Sequence, residues 1–505
     1  MKGQDAKVLM VQGTTSHAGK TILVAALCRI LSERGYKVAP FKAQNMSLNS
    51  YVTNEGAEIA RAQALQAFAA GIEPKAEMNP ILLKPKGEKT SQVVLHGKPY
   101  ADVKTTSYSE FTRKRGAEAV KHSLSVLLSE FDVVVIEGAG SPAEINLYDR
   151  DITNMYVADL SDAPVFLIAD IDRGGVFASM VGTLNLLKAE HRKRVKGLII
   201  NKFRGEYSIL QPGLKMLEEI TSKPVLGVIP YINDLDLPME DSVSLEEISA
   251  KKQEMDIAII QIPLISNFTD FDPLRASRIG VRYVKKVKEM GKPDAVILPG
   301  TKNSINALSW IRKNGFDREL LSLRKHKVPI IGICGGFQIL GKKIEDPMGI
   351  EDSKRAGFEG LGFLDMVTKF EKYDKVTKRV NAAIIGNGPV LRRGRNRSIK
   401  GYEIHMGMSE VVSDGPLFRI SSNEGDHFDG AISKDGLVFG SYLHGMFDDK
   451  WLREGLIGFL AGKRGIEAPI LSGNVTDEWD RSLGLLTSTL RDCLDLERIF
   501  KISIS

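Results

Sequence analysis

Only three cysteines occur in the 505 residues, Cys28, Cys334 and Cys493. They are too few and too widely spaced for a disulfide framework or a cysteine zinc site, so each thiol has to be accounted for singly. No apolar run reaches the roughly 20 residues that a membrane-spanning helix needs. Residues 1–5 lead into a strand-like stretch without a signal-peptide pattern, so a cytoplasmic protein with no membrane partner is expected. Aromatic residues make up 7%, and 69 Lys plus Arg stand against 63 Asp plus Glu for a formal charge of +6. That modest excess could attract anions without requiring nucleic acid, and charge alone chooses no substrate. The basic runs 191–194 and 392–397 lack interleaved aromatics, and no nucleic-acid partner is expected. What is abundant is apolar material, 43% of the chain, enough at this length for two to four globular cores.

The first informative pattern joins the apolar strand Val8-Leu9-Met10-Val11 to Gly13-Thr14-Thr15-Ser16-His17-Ala18-Gly19-Lys20-Thr21 and an apolar helix from Ile22 to Leu31. A strand, a small-residue loop and a helix beginning Gly-Lys-Thr form a phosphate loop: backbone N–H groups face phosphate, Lys20 adds charge and Thr21 offers a hydroxyl to Mg²⁺. The ordinary spacing would put the first glycine where Thr14 stands, one residue after Gly13. Gly13, Thr14, Gly19, Lys20 and Thr21 are the expected ATP-binding residues, with a simple glycine turn as the alternative. A second strand, 133–136, ends at Glu137, an acid at a sheet edge and the expected partner of Thr21 on Mg²⁺, or otherwise a turn acid or ion pair. Further strands precede Asp170 and Asn201. Asp170 and Asp172 either meet substrate or metal or cap local structure, and Asn201 either reads the nucleotide base or caps a loop. Repetition of this unit predicts a mostly parallel α/β sheet. The polar segment 41–50, with Lys42, Gln44, Asn45, Ser47, Asn49 and Ser50, would orient a carboxylate-rich substrate or form a solvated loop. Gln63 and Gln66 read as structural or surface residues.

An acidic stretch at 233–254 suggests a boundary, after which a second α/β pattern begins. Within it, Ile331-Gly332-Ile333-Cys334-Gly335-Gly336-Phe337 has the form of a nucleophile elbow, where flanking glycines permit a tight strand-to-helix turn that exposes the thiol. A helix dipole behind Cys334 and nearby N–H groups would favour attack on a carbonyl; a buried structural cysteine is the alternative. His444, at a strand end, is the expected base that takes the Cys334 proton and returns it to a leaving amine. His405 is a weaker candidate. The expected division is 1–250 for ATP chemistry, 251–450 for the nucleophile and a helical extension at 451–505, possibly part of the second domain.

Together these motifs resemble the cobyric acid synthase family of corrinoid amidotransferases. The first domain is similar to dethiobiotin synthetase through Gly13 to Thr21 and Glu137-Gly138-Ala139-Gly140. The second resembles class I glutamine amidotransferases, with a flavodoxin-like fold, through Cys334, Gln338 and His444. The likeness also takes in 41–47, 266–272 and 401–407. It implies ATP and Mg²⁺ as requirements, glutamine as nitrogen donor and adenosylcobyrinic acid a,c-diamide as substrate, the corrinoid being substrate rather than cofactor. In class I enzymes a Glu stands two residues beyond the catalytic His; here Met446 does, which leaves a Cys-His dyad. Rival readings are an a,c-diamide synthase acting on cobyrinic or hydrogenobyrinic acid, and a nucleotide-switched partitioning or regulatory protein.

Overall fold

The computed structural model describes residues 6–87, 89–233, 235–238, 253–277, 279–352, 357–373, 375–421, 425–471 and 473–504. Residues 239–252 of the expected boundary lie outside the described residues. The first domain is built on six parallel strands in the order Val225–Pro230, Val195–Phe203, Val165–Asp170, Lys7–Gly13, Val133–Glu137 and Val38–Phe41. Their sequences are nearly continuous runs of Val, Ile and Leu because helices cover both faces, as a parallel sheet requires. Every strand points the same way, so the residues that end them share one edge. Val11 pairs with Glu137, Gly13 with Ile168 and Asp170 with Asn201. The phosphate loop therefore opens beside Glu137 and Asp170, where doubly wound sheets hold ligands.

The second domain carries five parallel strands, Gly280–Val284, Asp256–Ile260, Ala295–Leu298, Ile330–Ile333 and Val438–Ser441, with Ala431–Ile432 antiparallel at the edge. To this flavodoxin-like core is added an antiparallel sheet of His427–Asp429, Phe418–Ser421, Val376–Ile384, Ser398–His405 and Leu443–His444. The added sheet delivers His444, since Tyr402 pairs with His444 across its last ladder.

The chain beyond residue 450, expected as a helical extension that is possibly part of the second domain, packs on both domains. Helix Lys450–Arg464 buries Leu452, Leu456 and Leu460 in the second core. Helices Val475–Cys493 and Leu496–Ser503 instead return to the first domain, where Trp479, Leu483 and Leu486 join Leu23, Leu27 and Ile30. Their apolar faces fit the uncovered side of helix Lys20–Glu33, whose residues are buried on nearly all sides. Among the described residues no helix is long and apolar enough to cross a membrane.

Candidate active sites

In the phosphate loop, Lys20 Nζ donates to the carbonyls of Thr15 at 2.9 Å and Gly140 at 3.0 Å, so its ammonium lies across the mouth of the loop. Gly19 has φ +101°, and a Cβ there would stand 2.0 Å from Asn201 Nδ2. Both backbone conformation and space thus require glycine. Gly13 ends the first strand, and Thr14 N–H is already bound to the Ile168 carbonyl at 3.0 Å, so that amide is engaged by the sheet. Asn201 donates to the Ala18 carbonyl at 2.9 Å, which places it as a buttress of the loop.

Thr21 and Glu137, 116 residues apart, meet at 2.7 Å between Oγ1 and Oε1. Lys42 Nζ lies 2.8 Å from the same carboxylate oxygen, and Gln66 Nε2 2.5 Å from the other. Gln63 stands behind them, 3.5 Å from Glu137 and 3.0 Å from Asn45. Of the two readings of Gln63 and Gln66, surface or structural, the surface one falls: both are fully buried and hold the carboxylate. Thr21 and Glu137 offer hard oxygen donors beside the phosphate loop, the donor chemistry that suits Mg²⁺. Among the described residues no cluster of three His, Cys, Asp or Glu is placed to hold a metal, so such an ion would take its other ligands from phosphate and water. In front of this group opens a cavity of about 530 Å³ lined by Lys20, Lys42, Gln44, Asn45, Tyr108 and Asn154, among others. Asn154, which sequence reasoning missed, grips Ala139 through both amide atoms, at 3.1 Å and 2.7 Å.

Cys334 occupies φ 50°, ψ −109° between strand Ile330–Ile333 and helix Gly335–Leu340. An L residue held there marks a strained elbow. Gly336 makes the turn possible, since a Cβ at that position would lie 2.0 Å from the Leu298 carbonyl oxygen. The other two thiols have no such setting. Burial pushes Cys28 far up and Cys493 to about 11.

His444 is fully buried, and Cys334 Sγ, on the neighbouring strand end, donates to the Ile404 carbonyl at 3.5 Å. Its Nδ1 lies 2.7 Å from Asp270 Oδ2, and Asp270 Oδ1 accepts from Gly445 N–H at 3.0 Å. Tyr402 stacks on the ring at 5.3 Å between centroids and 16° between planes. Burial alone would lower the His444 pKa, but Asp270 and then Cys334 outweigh it and hold the group at about 10. The orienting carboxylate that is missing at Met446 therefore comes from the opposite end of the domain. Asp270 sits inside the 266–272 segment noticed in the sequence, yet nothing in its spacing ties it to residue 444. His405 is pushed down to about 3, chiefly by burial, and is neutral; its Nδ1 faces the Gly407 carbonyl and its ring stacks on Tyr442 at 3.8 Å. Gln338 is fixed by Ser304, by the Met406 carbonyl at 2.9 Å and by Tyr442.

The polar segment 41–50 links the two centres. Lys42, Gln44 and Asn45 line the first cavity. At its other end Ser50 N–H donates to Asn267 Oδ1 at 2.8 Å, and Tyr402 donates to the Ser50 carbonyl at 3.2 Å. Asn267 Nδ2 is 3.3 Å from His444, so Ser50 of the first domain contacts two residues that pack on the His444 imidazole of the second. The solvated-loop alternative falls: Asn49 and Ser50 are fully buried.

Residues 9–245 match the family described as the CobQ/CobB/MinD/ParA nucleotide binding domain, and residues 256–451 match the CobB/CobQ-like glutamine amidotransferase domain. A probable cobyric acid synthase of Methanosarcina mazei is 50% identical over 502 residues, covering 99% of each chain. Cobyric acid synthases of Pelotomaculum thermopropionicum and Moorella thermoacetica are each 46% identical, covering 98% of this chain and 96% and 97% of theirs.

Proposed function

The chain belongs to the cobyric acid synthase family, and from that premise we propose that it amidates the b, d, e and g carboxylates of adenosylcobyrinic acid a,c-diamide with glutamine nitrogen at the expense of ATP. In the second domain Cys334 Sγ attacks the side-chain amide of glutamine. His444, oriented by Asp270, carries the proton that the departing ammonia takes up, and water then releases glutamate from the thioester. In the first domain Lys20 binds the ATP phosphates while a corrinoid carboxylate attacks the γ-phosphorus, giving an acyl phosphate and ADP. Ammonia displaces phosphate from that carbonyl and leaves the amide. Mg²⁺ held by Thr21 and Glu137 would neutralise phosphate charge when bound. The 530 Å³ cavity beside Lys20, lined also by Lys42, Gln44 and Asn45, supports it as the place where carboxylate and nucleotide meet. Asn201, at the back of the loop, is proposed to act on the nucleotide through the loop it holds.

The observation that carries this reading is the Cys334, His444 and Asp270 arrangement packed against a phosphate-loop domain in one chain. It also separates the proposal from a nucleotide-driven partitioning protein, which has no use for a thiol elbow. The test is reconstitution with ATP, Mg²⁺, glutamine and the a,c-diamide, following product mass and glutamate together. Four successive amidations are expected. Addition of amides only at a and c of cobyrinic acid would instead identify an a,c-diamide synthase, and glutamine-independent ATP turnover without amidation would sink both.

A further inference from the structure

The pocket beside Cys334 is walled by both domains. Lys84, in strand Ile81–Pro85 of the first, reaches it together with Lys302, Lys375 and Glu351 of the second. Lys84 Nζ donates to Ser50 Oγ at 2.9 Å and to Glu58, Lys375 Nζ donates to the other oxygen of Glu58, and Lys302 Nζ donates to Gln92 Oε1 at 2.8 Å. Among the described residues Glu58 is the one carboxylate hydrogen-bonded to any of these three ammonium groups. Buried charge is costly unless it is paired, and here three ammonium groups share one hydrogen-bonded carboxylate, with Glu351 at the same pocket bonded to none of them. The imbalance is felt within the cluster. Burial, Lys375 and Lys84 push Lys302 well below the usual lysine range, and burial holds Lys375 near 8 in spite of Glu58.

Glu351 presents the opposite need at the same pocket. Its Oε2 accepts from the N–H groups of Ser304 and Ile305 at 2.8 Å and 3.2 Å, yet burial pushes the carboxyl up to about 7 against these bonds and the charge of Lys302. A ligand that brings a carboxylate to the lysines and an ammonium to Glu351 relieves both, and an α-amino acid head group carries those two charges on one carbon.

Resting on the reading of Cys334 as the glutaminase nucleophile, we propose that Lys302 and Lys84 bind the α-carboxylate of glutamine and Glu351 its α-ammonium, so that both domains together recognise the head group. The cavity beside Sγ is about 50 Å³, smaller than glutamine, so the pocket opens as the ligand enters, and the long lysine stems can swing to allow it. Because Lys84 belongs to the first domain, the glutamine site is complete only when the domains are docked. Ser50, which bonds both Lys84 and the Asn267 and Tyr402 shell of His444, ties head-group binding to the catalytic imidazole.

The test compares hydrolysis of L-glutamine, 4-aminobutanamide, which lacks the α-carboxylate, and glutaric acid monoamide, which lacks the α-ammonium, by the full chain. Lys302→Gln is expected to lower kcat/KM for glutamine about 10- to 100-fold, mainly through KM, the range of a lost charge-assisted hydrogen bond. Glutamine then falls to within about threefold of 4-aminobutanamide. Glu351→Gln should do the same relative to glutaric acid monoamide while leaving discrimination by the α-carboxylate in place. Lys84→Gln should repeat the Lys302 pattern and Lys302→Arg should recover most of it, which a folding defect would not do. Equal losses on all three amides, or unchanged discrimination, overturn the assignment while the glutaminase reading stands. Absence of any Cys334-dependent glutamate release from the unaltered enzyme overturns both.

Discussion

Asp270 and His444 lie 174 residues apart and meet at 2.7 Å, carboxylate oxygen to imidazole nitrogen, with neither side chain open to solvent. The pair puts an acid on the imidazole proposed as the catalytic base, in a domain whose sequence has Met446 where class I enzymes carry Glu. Nδ1, facing a carboxylate, carries hydrogen, while Nε2 lies 3.3 Å from Asn267 Nδ2.

Asp270→Asn should therefore reduce glutamate release about 10²- to 10⁴-fold, the scale seen when an orienting carboxylate is replaced in a nucleophile-His-Asp system. Steady-state glutaminase assays check it, with ammonia-supported amidation measured in parallel. A loss below threefold would remove Asp270 from the site.

The same pair carries a pH signature. His444 is held at about 10 against an ordinary 6.5, so the folded state binds its proton more tightly than the unfolded chain. That stabilisation is complete below pH 6.5 and is lost as pH rises through about 10. Denaturant melts of the unaltered protein and Asp270→Asn should differ most near pH 6 and converge toward pH 10. A gap that widens with pH contradicts the pairing.

Cys334→Ala should abolish glutamine hydrolysis while ammonia-dependent amidation remains measurable, because carboxylate activation takes place in the other domain. Loss of neither activity would take the nucleophile away from Cys334.

Lys20→Ala should depress amidation from both nitrogen sources, since activation precedes both, and Glu137→Gln should do likewise while weakening the hold on Lys42 and Thr21. ATP kinetics and circular dichroism together separate this from misfolding. Unaltered ATP kinetics with full amidation would exclude Lys20 from the phosphates.

Gly336→Ala tests the elbow by volume alone. A methyl group 2.0 Å from the Leu298 oxygen forces the turn apart and should cost at least about 1–3 kcal/mol of stability, together with glutaminase activity. A thermal midpoint equal to that of the unaltered chain would show that the turn can relax.

Much of both centres is legible in the chain because their key groups are bound to local geometry. Gly19, Lys20 and Thr21 must follow a strand and open a helix, and Cys334 must stand between glycines on a tight turn. Such constraints write themselves into neighbouring residues. Gln66, Asn154 and Asp270 carry no such mark. A buried amide or carboxylate looks the same in sequence as an exposed one, and its partner is set by which strand ends the sheet brings together. The seat of the last two helices is hidden for a related reason: their apolar stripes show that they pack, and only the uncovered face of helix Lys20–Glu33 shows where.

The sequence by itself determined two α/β domains, a phosphate loop at Gly13 to Thr21 and a thiol elbow at Cys334, because periodicity, turn residues and motif spacing are local properties. Only the tertiary structure decided that Asp270 lies against His444, that Glu137 is gripped by Thr21, Lys42 and Gln66, and that Ser50 and Lys84 of one domain reach across to the other, Ser50 to Asn267 and Lys84 to the pocket beside Cys334. Those contacts join residues far apart in the chain, and they exist only once two sheets have closed on each other and excluded the water that would otherwise solvate these polar groups.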